Sequence, residues 1–156
     1  AGGPDDGAPP RTRAGGPLMG EVWFFDVDAC LVDSMSGASL RPLARPILEV
    51  LHGRGALVVW WSAGGATHAR DMARRHDVAA LVHDFLDKPP RGADGRWSLA
   101  GLPSGLRPDF CVDDRPEDTP LGPRTVAVPP YLAPDPHDRG LRDLHICLTT
   151  ENQNMI

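Results

Sequence analysis

The chain of 156 residues is poor in lysine and contains no long apolar run. A membrane helix needs roughly 20 consecutive apolar residues, so we expect no membrane-spanning segment, and we find no signal peptide. The formal charge of −5 gives no general attraction for nucleic acid or for an anionic membrane. A phosphate-bearing substrate would therefore need a local cation. Lys88, the only lysine among sixteen Lys and Arg residues, is one candidate.

Cysteine, paired histidine and nucleotide-binding glycine patterns are also scarce. The three cysteines are odd in number and include no CxxC pair, which argues against a disulfide scaffold or a cysteine zinc site. We therefore expect reduced thiols and a cytoplasmic protein. The six histidines show no HExxH spacing, and Gly64-Gly65 lacks the G-x-G-x-x-G pattern. These absences argue against zinc hydrolases and dinucleotide-binding enzymes.

One stretch of the chain combines a strong apolar run with acidic residues. Four large apolar residues at 22–25 precede Asp26 and Asp28, as in a strand of a parallel sheet that is covered on both faces. Such sheets place their chemistry at the carboxyl ends of their strands. Unless the chain turns between them, the two carboxylates should converge on extended backbone, which calls for a cation between them or a raised pKa. A solvated Asp-x-Asp turn is the alternative.

The rest of the chain alternates predicted strands and helices. This alternation predicts a three-layer, Rossmann-like α/β sandwich with a mainly parallel sheet, formed by residues 21–145. We expect a Gly/Pro-rich flexible arm at 1–20 and a polar tail at 146–156. The predicted strands are 56–61, a short one within 78–86, 110–112 and 125–128, and the predicted helices are 41–53, 66–76 and a short one near 139–144.

Polar residues follow two further predicted strands and one loop. Ser62 ends the second strand beside the backbone of Ala63, an arrangement that can bind phosphate where a helix begins. An ordinary N-cap serine is the alternative. Asp113 and Asp114 end the strand at 110–112, and Lys88 arrives from a loop. We expect all of these groups at one edge of the sheet.

These motifs, in this order, resemble the haloacid dehalogenase superfamily, most of whose members are magnesium-dependent phosphatases. The segment Asp26-Val27-Asp28-Ala29-Cys30-Leu31-Val32-Asp33-Ser34 is similar to the family's first motif, Asp-x-Asp-Gly-Thr-Leu-x-Asp-Ser. Ser62 fits the second motif, Lys88 the third, and Asp113-Asp114 the fourth. The resemblance covers roughly residues 22 to 130. Each motif alone is weak, but the ordered set is specific.

The resemblance implies a role for each matching residue. Asp26 would be the nucleophile that forms an aspartyl-phosphate, and Asp28 the general acid and base. The residues that would hold Mg²⁺ are Asp26, Asp28 through its backbone carbonyl, Asp113 and Asp114. Ser62, Ala63 and Lys88 would bind the transferring phosphoryl oxygens. The function implied is Mg²⁺-dependent hydrolysis of a phosphomonoester.

The chain departs from the family pattern at two positions and in its insertions. Ala29 stands where glycine is frequent and Cys30 where threonine is usual, although neither change removes a catalytic group. The segments between motifs are too short for a sizeable cap domain. In this family, capless members often act on phosphate carried by nucleic acid or protein as well as on small molecules, or close their site with a second subunit. The class of substrate and the formation of a homo-oligomer are therefore both left open by the sequence.

Three other functional readings remain. The first is a non-catalytic module that keeps the fold and binds a partner through its tails or open site. The second is a phosphotransferase or phosphonatase variant, although a phosphonatase usually takes a lysine from a cap. The third is a cysteine nucleophile at Cys30, which no motif supports with a neighbouring histidine base.

Overall fold

A computed structural model describes residues 20–103 and 105–150 of the chain. The predicted arm therefore lies outside the described residues except for Gly20, as does the end of the predicted tail at 151–156. The described part forms a Rossmann-like α/β fold around one five-stranded sheet, whose strand order is β3-β2-β1-β4-β5. All the neighbouring strands pair in parallel, namely β1 (Val22–Asp26), β2 (Leu57–Ser62), β3 (Asp84–Asp87), β4 (Phe110–Asp113) and β5 (Arg124–Ala127).

The central strand β1 is buried along its whole length. It pairs with β2 on one side, where Asp26 is opposite Trp61, and with β4 on the other. This confirms the prediction of a strand covered on both faces. Because the strands are parallel, Asp26, Ser62 and Asp113 all arrive at the carboxyl edge of the sheet.

The two faces of the sheet are covered differently. The helices α1 (Ala44–Gly53), α2 (Ala66–Arg75) and α3 (Arg142–Thr149) all contribute to one core, together with the strand residues Trp23, Phe25 and Trp60. Trp61 and Phe24 belong to the opposite core, which is covered by the irregular residues 97–103 and 105–106. The predicted third layer is thus formed by loop structure. Breakers within this segment, Gly101, Pro103 and Gly105, disfavour a helix.

Several predicted boundaries shift by a few residues. The first helix begins at Ala44 rather than at 41, because Leu43 adopts a left-handed conformation with φ of 74°. The strand predicted within 78–86 begins only at Asp84 and follows a 3₁₀ turn, Ala79–Leu81. The last helix runs past the predicted 139–144, because Leu144, Cys147 and Leu148 form a buried stripe along it. Residues 146–149 of the predicted tail therefore lie in α3.

A loop between β1 and α1 is held by a buried carboxylate. Asp33 accepts hydrogen bonds from the Ser36 amide at 2.7 Å, the Ser36 hydroxyl at 2.7 Å and the Ser39 amide at 2.8 Å. Burial raises the pKa of Asp33, but these hydrogen bonds outweigh burial, and the net pKa lies below its usual value. The loop is therefore fixed beside the carboxyl edge of the sheet.

Within the part of the chain that the structure covers, no helix is both long enough and apolar enough to cross a membrane.

Candidate active site

A cavity of about 480 Å³ lies at the carboxyl edge of the sheet, where β1, β2 and β4 end beside the Lys88 loop. Its lining includes all the residues that the sequence singled out. These are Asp26, Asp28, Ser62, Ala63, Lys88, Asp113 and Asp114, and they are joined by Ala29, Arg91, Trp97, Arg115, Asp118 and Leu132.

Lys88 links two carboxylates from neighbouring strands. Its Nζ donates to Asp26 Oδ1 at 2.9 Å and to Asp113 Oδ2 at 3.4 Å. The same ammonium lies 4.9 Å from the ring centre of Trp97 and 5.5 Å from that of Trp61. Only 5% of the lysine side chain is exposed, so the ion pairs are weakly screened by water. Burial lowers the pKa of Lys88, but the two aspartates outweigh burial and raise it overall.

Three carboxylates come together around this lysine. One oxygen from each of Asp26, Asp113 and Asp114 lies within 4.8 Å of the others. Burial raises the pKa of Asp26 to about 7, with Asp114 adding to the shift and Lys88 opposing it. Burial is also the main reason why the pKa values of Asp113 and Asp114 are raised. Three carboxylates against one ammonium leave a deficit of positive charge, which a divalent cation with a preference for oxygen would fill.

The Asp28 carboxylate does not join that of Asp26, as it would on extended backbone. The chain turns directly after Asp26, where the Val27 carbonyl accepts hydrogen bonds from the amides of Cys30, Leu31 and Val32. Among the described residues, the Asp28 carboxylate is not part of the cluster formed by the other three acids. The two carboxylates were expected to converge unless the chain turned between them, and it does turn, because the strand ends at Asp26. Asp28 nevertheless lines the same cavity.

Ser62 organises the backbone before α2. Its Oγ accepts the Gly64 amide at 2.9 Å, and the serine is almost fully buried. A hydroxyl that accepts one hydrogen bond can still donate its own proton. The N-cap alternative for Ser62 is not what the structure shows, because α2 begins at Ala66. The Ala66 amide instead donates to Asp87 Oδ1 at 2.6 Å, so Asp87 satisfies the helix end.

Cys30 is a packed residue at the edge of this site. Its thiol is fully buried and donates to the Val112 carbonyl with an S···O distance of 3.7 Å. Burial, reinforced by the charge of Asp26, raises the pKa of Cys30 well above its usual value. A buried thiol that resists ionisation is a poor nucleophile. The structure therefore argues against the reading of Cys30 as the nucleophile.

Several residues of the site were missed from the sequence. His68 binds Asp28, and Arg91 and Arg115 both form ion pairs with Asp118 at the cavity mouth. Trp97 lies 4.0 Å from the Arg91 guanidinium, measured from its ring centre. The position of His68 in the first turn of a helix that follows β2 was a usable signal, because such turns lie at the carboxyl edge. Trp97 ends the tight turn that the sequence predicts at 92–97, a loop that was expected to contact the substrate in the absence of a cap domain.

The scan against protein-family models found no match to this chain, and no curated protein matches it.

Ala29 has a backbone conformation that suits glycine better. Its φ is 65°, in the left-handed region, where a Cβ atom is disfavoured. We predict that Ala29→Gly raises the free energy of unfolding by about 1 kcal/mol, because relief of strain exceeds the extra freedom of the unfolded chain. Urea denaturation measures the change. The control is Ala38→Gly on an exposed loop without positive φ, which should be destabilising. Equal destabilisation by both substitutions would contradict the prediction.

Proposed function

We propose that this protein is a Mg²⁺-dependent phosphohydrolase of haloacid dehalogenase type that cleaves a phosphomonoester through an aspartyl-phosphate on Asp26. One set of contacts supports this proposal more than any other. The single lysine of the chain joins Asp26 to Asp113 inside a cavity that also contains Asp114 and Ser62. An acidic cluster with one central ammonium suits a dianionic phosphoryl group once a divalent cation is added.

Asp26 is suited to nucleophilic attack by its burial and its partners. Lys88 binds Oδ1, which leaves Oδ2 to form a bond to phosphorus. As that bond forms, the bond between phosphorus and the leaving-group oxygen breaks. Water then attacks phosphorus, inorganic phosphate leaves, and the Asp26 carboxylate is restored. Splitting the reaction in this way replaces one difficult step by two easier ones.

Mg²⁺ fits the donor set at this site. The carboxylates of Asp26, Asp113 and Asp114 are hard oxygen ligands, and their pKa values are raised chiefly by burial, with repulsion between neighbouring carboxylates adding to the shift. A divalent ion would offset that repulsion. The Asp28 backbone carbonyl would be a further ligand. When bound, the ion supplies positive charge to the phosphoryl oxygens and offsets repulsion between phosphate and carboxylates.

The remaining residues bind oxygens and move a proton. Ser62 Oγ, the Lys88 ammonium and the backbone amide of Ala63 are placed to hold phosphoryl oxygens at the cavity wall. Asp28 gives a proton to the leaving-group oxygen and then takes one from the attacking water. Arg91 and Trp97 at the mouth would contact the leaving group.

The substrate class follows only in outline. No domain is inserted between β1 and β4 in the described residues, so the site is an open one. A phosphate on a small molecule, a nucleic acid or a protein could enter, and a second copy of the chain could close the cavity. The same proposal places the reaction in the cytoplasm, where its buried cysteines would stay reduced.

Metal binding gives a test that does not depend on turnover. At ten times its dissociation constant, Mg²⁺ should stabilise the fold by about 1.4 kcal/mol. This stabilisation should raise Tm by roughly 3 to 6 °C in a domain of this size. Asp113→Asn should abolish most of the shift, because it removes a buried carboxylate from the cluster.

The matched control for metal binding is Asp71→Asn, which changes an exposed aspartate on α2 and should keep the full shift. Differential scanning fluorimetry with and without EDTA measures all three proteins. An equal shift in the Asp113→Asn protein would place the metal elsewhere.

Turnover tests the nucleophile. The wild-type protein should hydrolyse 4-nitrophenyl phosphate with Mg²⁺ and lose that activity in EDTA. Asp26→Asn should lower kcat/KM by at least about 1,000-fold, because the amide cannot form the acyl phosphate. The Asp71→Asn protein should retain full activity. Undiminished activity in the Asp26→Asn protein would contradict the mechanism. If every protein were inactive on every phosphoester tested, the result would favour the non-catalytic module.

A further inference from the structure

His68 forms a contact that neither the motifs nor the steps above use. It lies in the first turn of α2, and its Nε2 is 3.0 Å from both Oδ1 and Oδ2 of Asp28. The two side chains are partly exposed, at 35% for His68 and 45% for Asp28. Asp28 also lines the cavity, so this contact reaches the residue that would exchange a proton with the leaving group.

Gly64 makes room for the histidine ring. A Cβ atom on Gly64 would lie 3.3 Å from His68 Cδ2 and 3.3 Å from Ser62 Oγ. The ring thus packs against bare backbone, beside the serine that lines the phosphoryl site. Because Gly65 has φ of 105° and α2 begins at the next residue, the first turn of the helix lies directly beside β2.

A hydrogen-bonded turn fixes the backbone around Asp28, but this turn does not fix the Asp28 side chain. The Val27 carbonyl gathers the amides of Cys30, Leu31 and Val32 at 2.9–3.2 Å, which fixes the turn. The Asp28 carboxylate stands outside the cluster of Asp26, Asp113 and Asp114 among the described residues. Among residues 20–103 and 105–150, His68 is the side chain that contacts this carboxylate, and it draws the group toward α2.

We propose that His68 is a positioning residue for Asp28, an inference that rests on the proposed phosphohydrolase function. Nε2–H, which is 3.0 Å from both oxygens, donates to the Asp28 carboxyl group and fixes its orientation at the cavity. In the first step the oxygen of Asp28 that carries the proton gives it to the leaving group as the bond to phosphorus breaks. In the second step it takes a proton from the attacking water. His68 keeps its own proton throughout.

The test compares two substitutions on two substrates. His68→Leu removes the donor, whereas His68→Gln retains an amide N–H at a similar distance from the backbone. Phenyl phosphate has a poor leaving group that needs protonation, and 4-nitrophenyl phosphate has a good one that needs it less. We expect His68→Leu to lower kcat on phenyl phosphate by roughly 10- to 100-fold. The loss on 4-nitrophenyl phosphate should be several-fold smaller, KM should change little, and His68→Gln should recover most of the rate.

A measurement without substrate accompanies the kinetics. In long-range ¹H–¹⁵N spectra of the wild-type protein, the His68 ring should carry its proton on Nε2, and Asp28→Asn should shift that resonance. His76, the residue directly after α2, contacts the Gly37 carbonyl and provides an internal reference that should stay unchanged. This comparison still decides the contact if the His68→Leu protein fails to fold.

The outcomes separate this inference from the function on which it rests. An active wild-type protein with equal losses on both substrates, or without recovery in His68→Gln, would overturn the role of His68 and leave the phosphohydrolase in place. An unshifted His68 resonance in the Asp28→Asn protein would do the same. A wild-type protein without phosphatase activity would overturn the function itself, and the positioning role with it.

Discussion

The ion pairs of Lys88 with Asp26 and Asp113 are the constraint on which the site depends. Carboxylates buried at the ends of neighbouring strands repel one another, and removal from water adds to the cost of their charge. One lysine with 5% of its side chain exposed offsets part of that charge. Burial, together with the charge of Asp114, nevertheless raises the pKa of Asp26 to about 7, and the negative charge that Lys88 leaves uncompensated makes the cluster suitable for a cation. The instability of the acidic cluster and its proposed chemistry thus have the same physical origin.

The parallel sheet explains why these groups meet. Strands β1, β2 and β4 lie side by side and run in the same direction, so their last residues reach one edge. Each strand is apolar until that edge, and burial of those apolar side chains holds the polar ends in place. Trp61 contributes to both tasks, because it packs in the core beside Phe24 and lies under the Lys88 ammonium. The apolar packing of the sheet therefore offsets the free energy that the burial of these charged groups costs.

The parallel sheet and the meeting of Asp26, Ser62 and Asp113 at its carboxyl edge could be predicted, because the alternation of strands and helices decides the direction of the strands. The order of the strands was not predicted, and Lys88 was assigned to the site from a loop by its match to the third motif. The contact between His68 and Asp28 could not be predicted, since it depends on where β1 stops and on two side-chain rotamers. The ends of helices were harder to predict from the sequence where tertiary packing outweighs local helix preference. Leu144 and Leu148 form a helix face only once α1 is present to cover it. The loop at 92–97 was expected to contact the substrate, but the segment carries no periodicity, so the packing of Trp97 over the sheet could not be predicted.

The most direct measurement of the account looks for the phosphoryl group on the protein itself. The Asp28→Asn protein, in which breakdown of the acyl phosphate should be slow, is mixed with Mg²⁺ and 4-nitrophenyl phosphate and quenched in acid. Mass spectrometry of its peptides then locates any added phosphoryl group. The account predicts one phosphoryl group on Asp26, which hydroxylamine should remove. The group should be missing from the protein that carries both Asp26→Asn and Asp28→Asn. Turnover with the group on another residue, such as His68, would contradict the central role of Asp26.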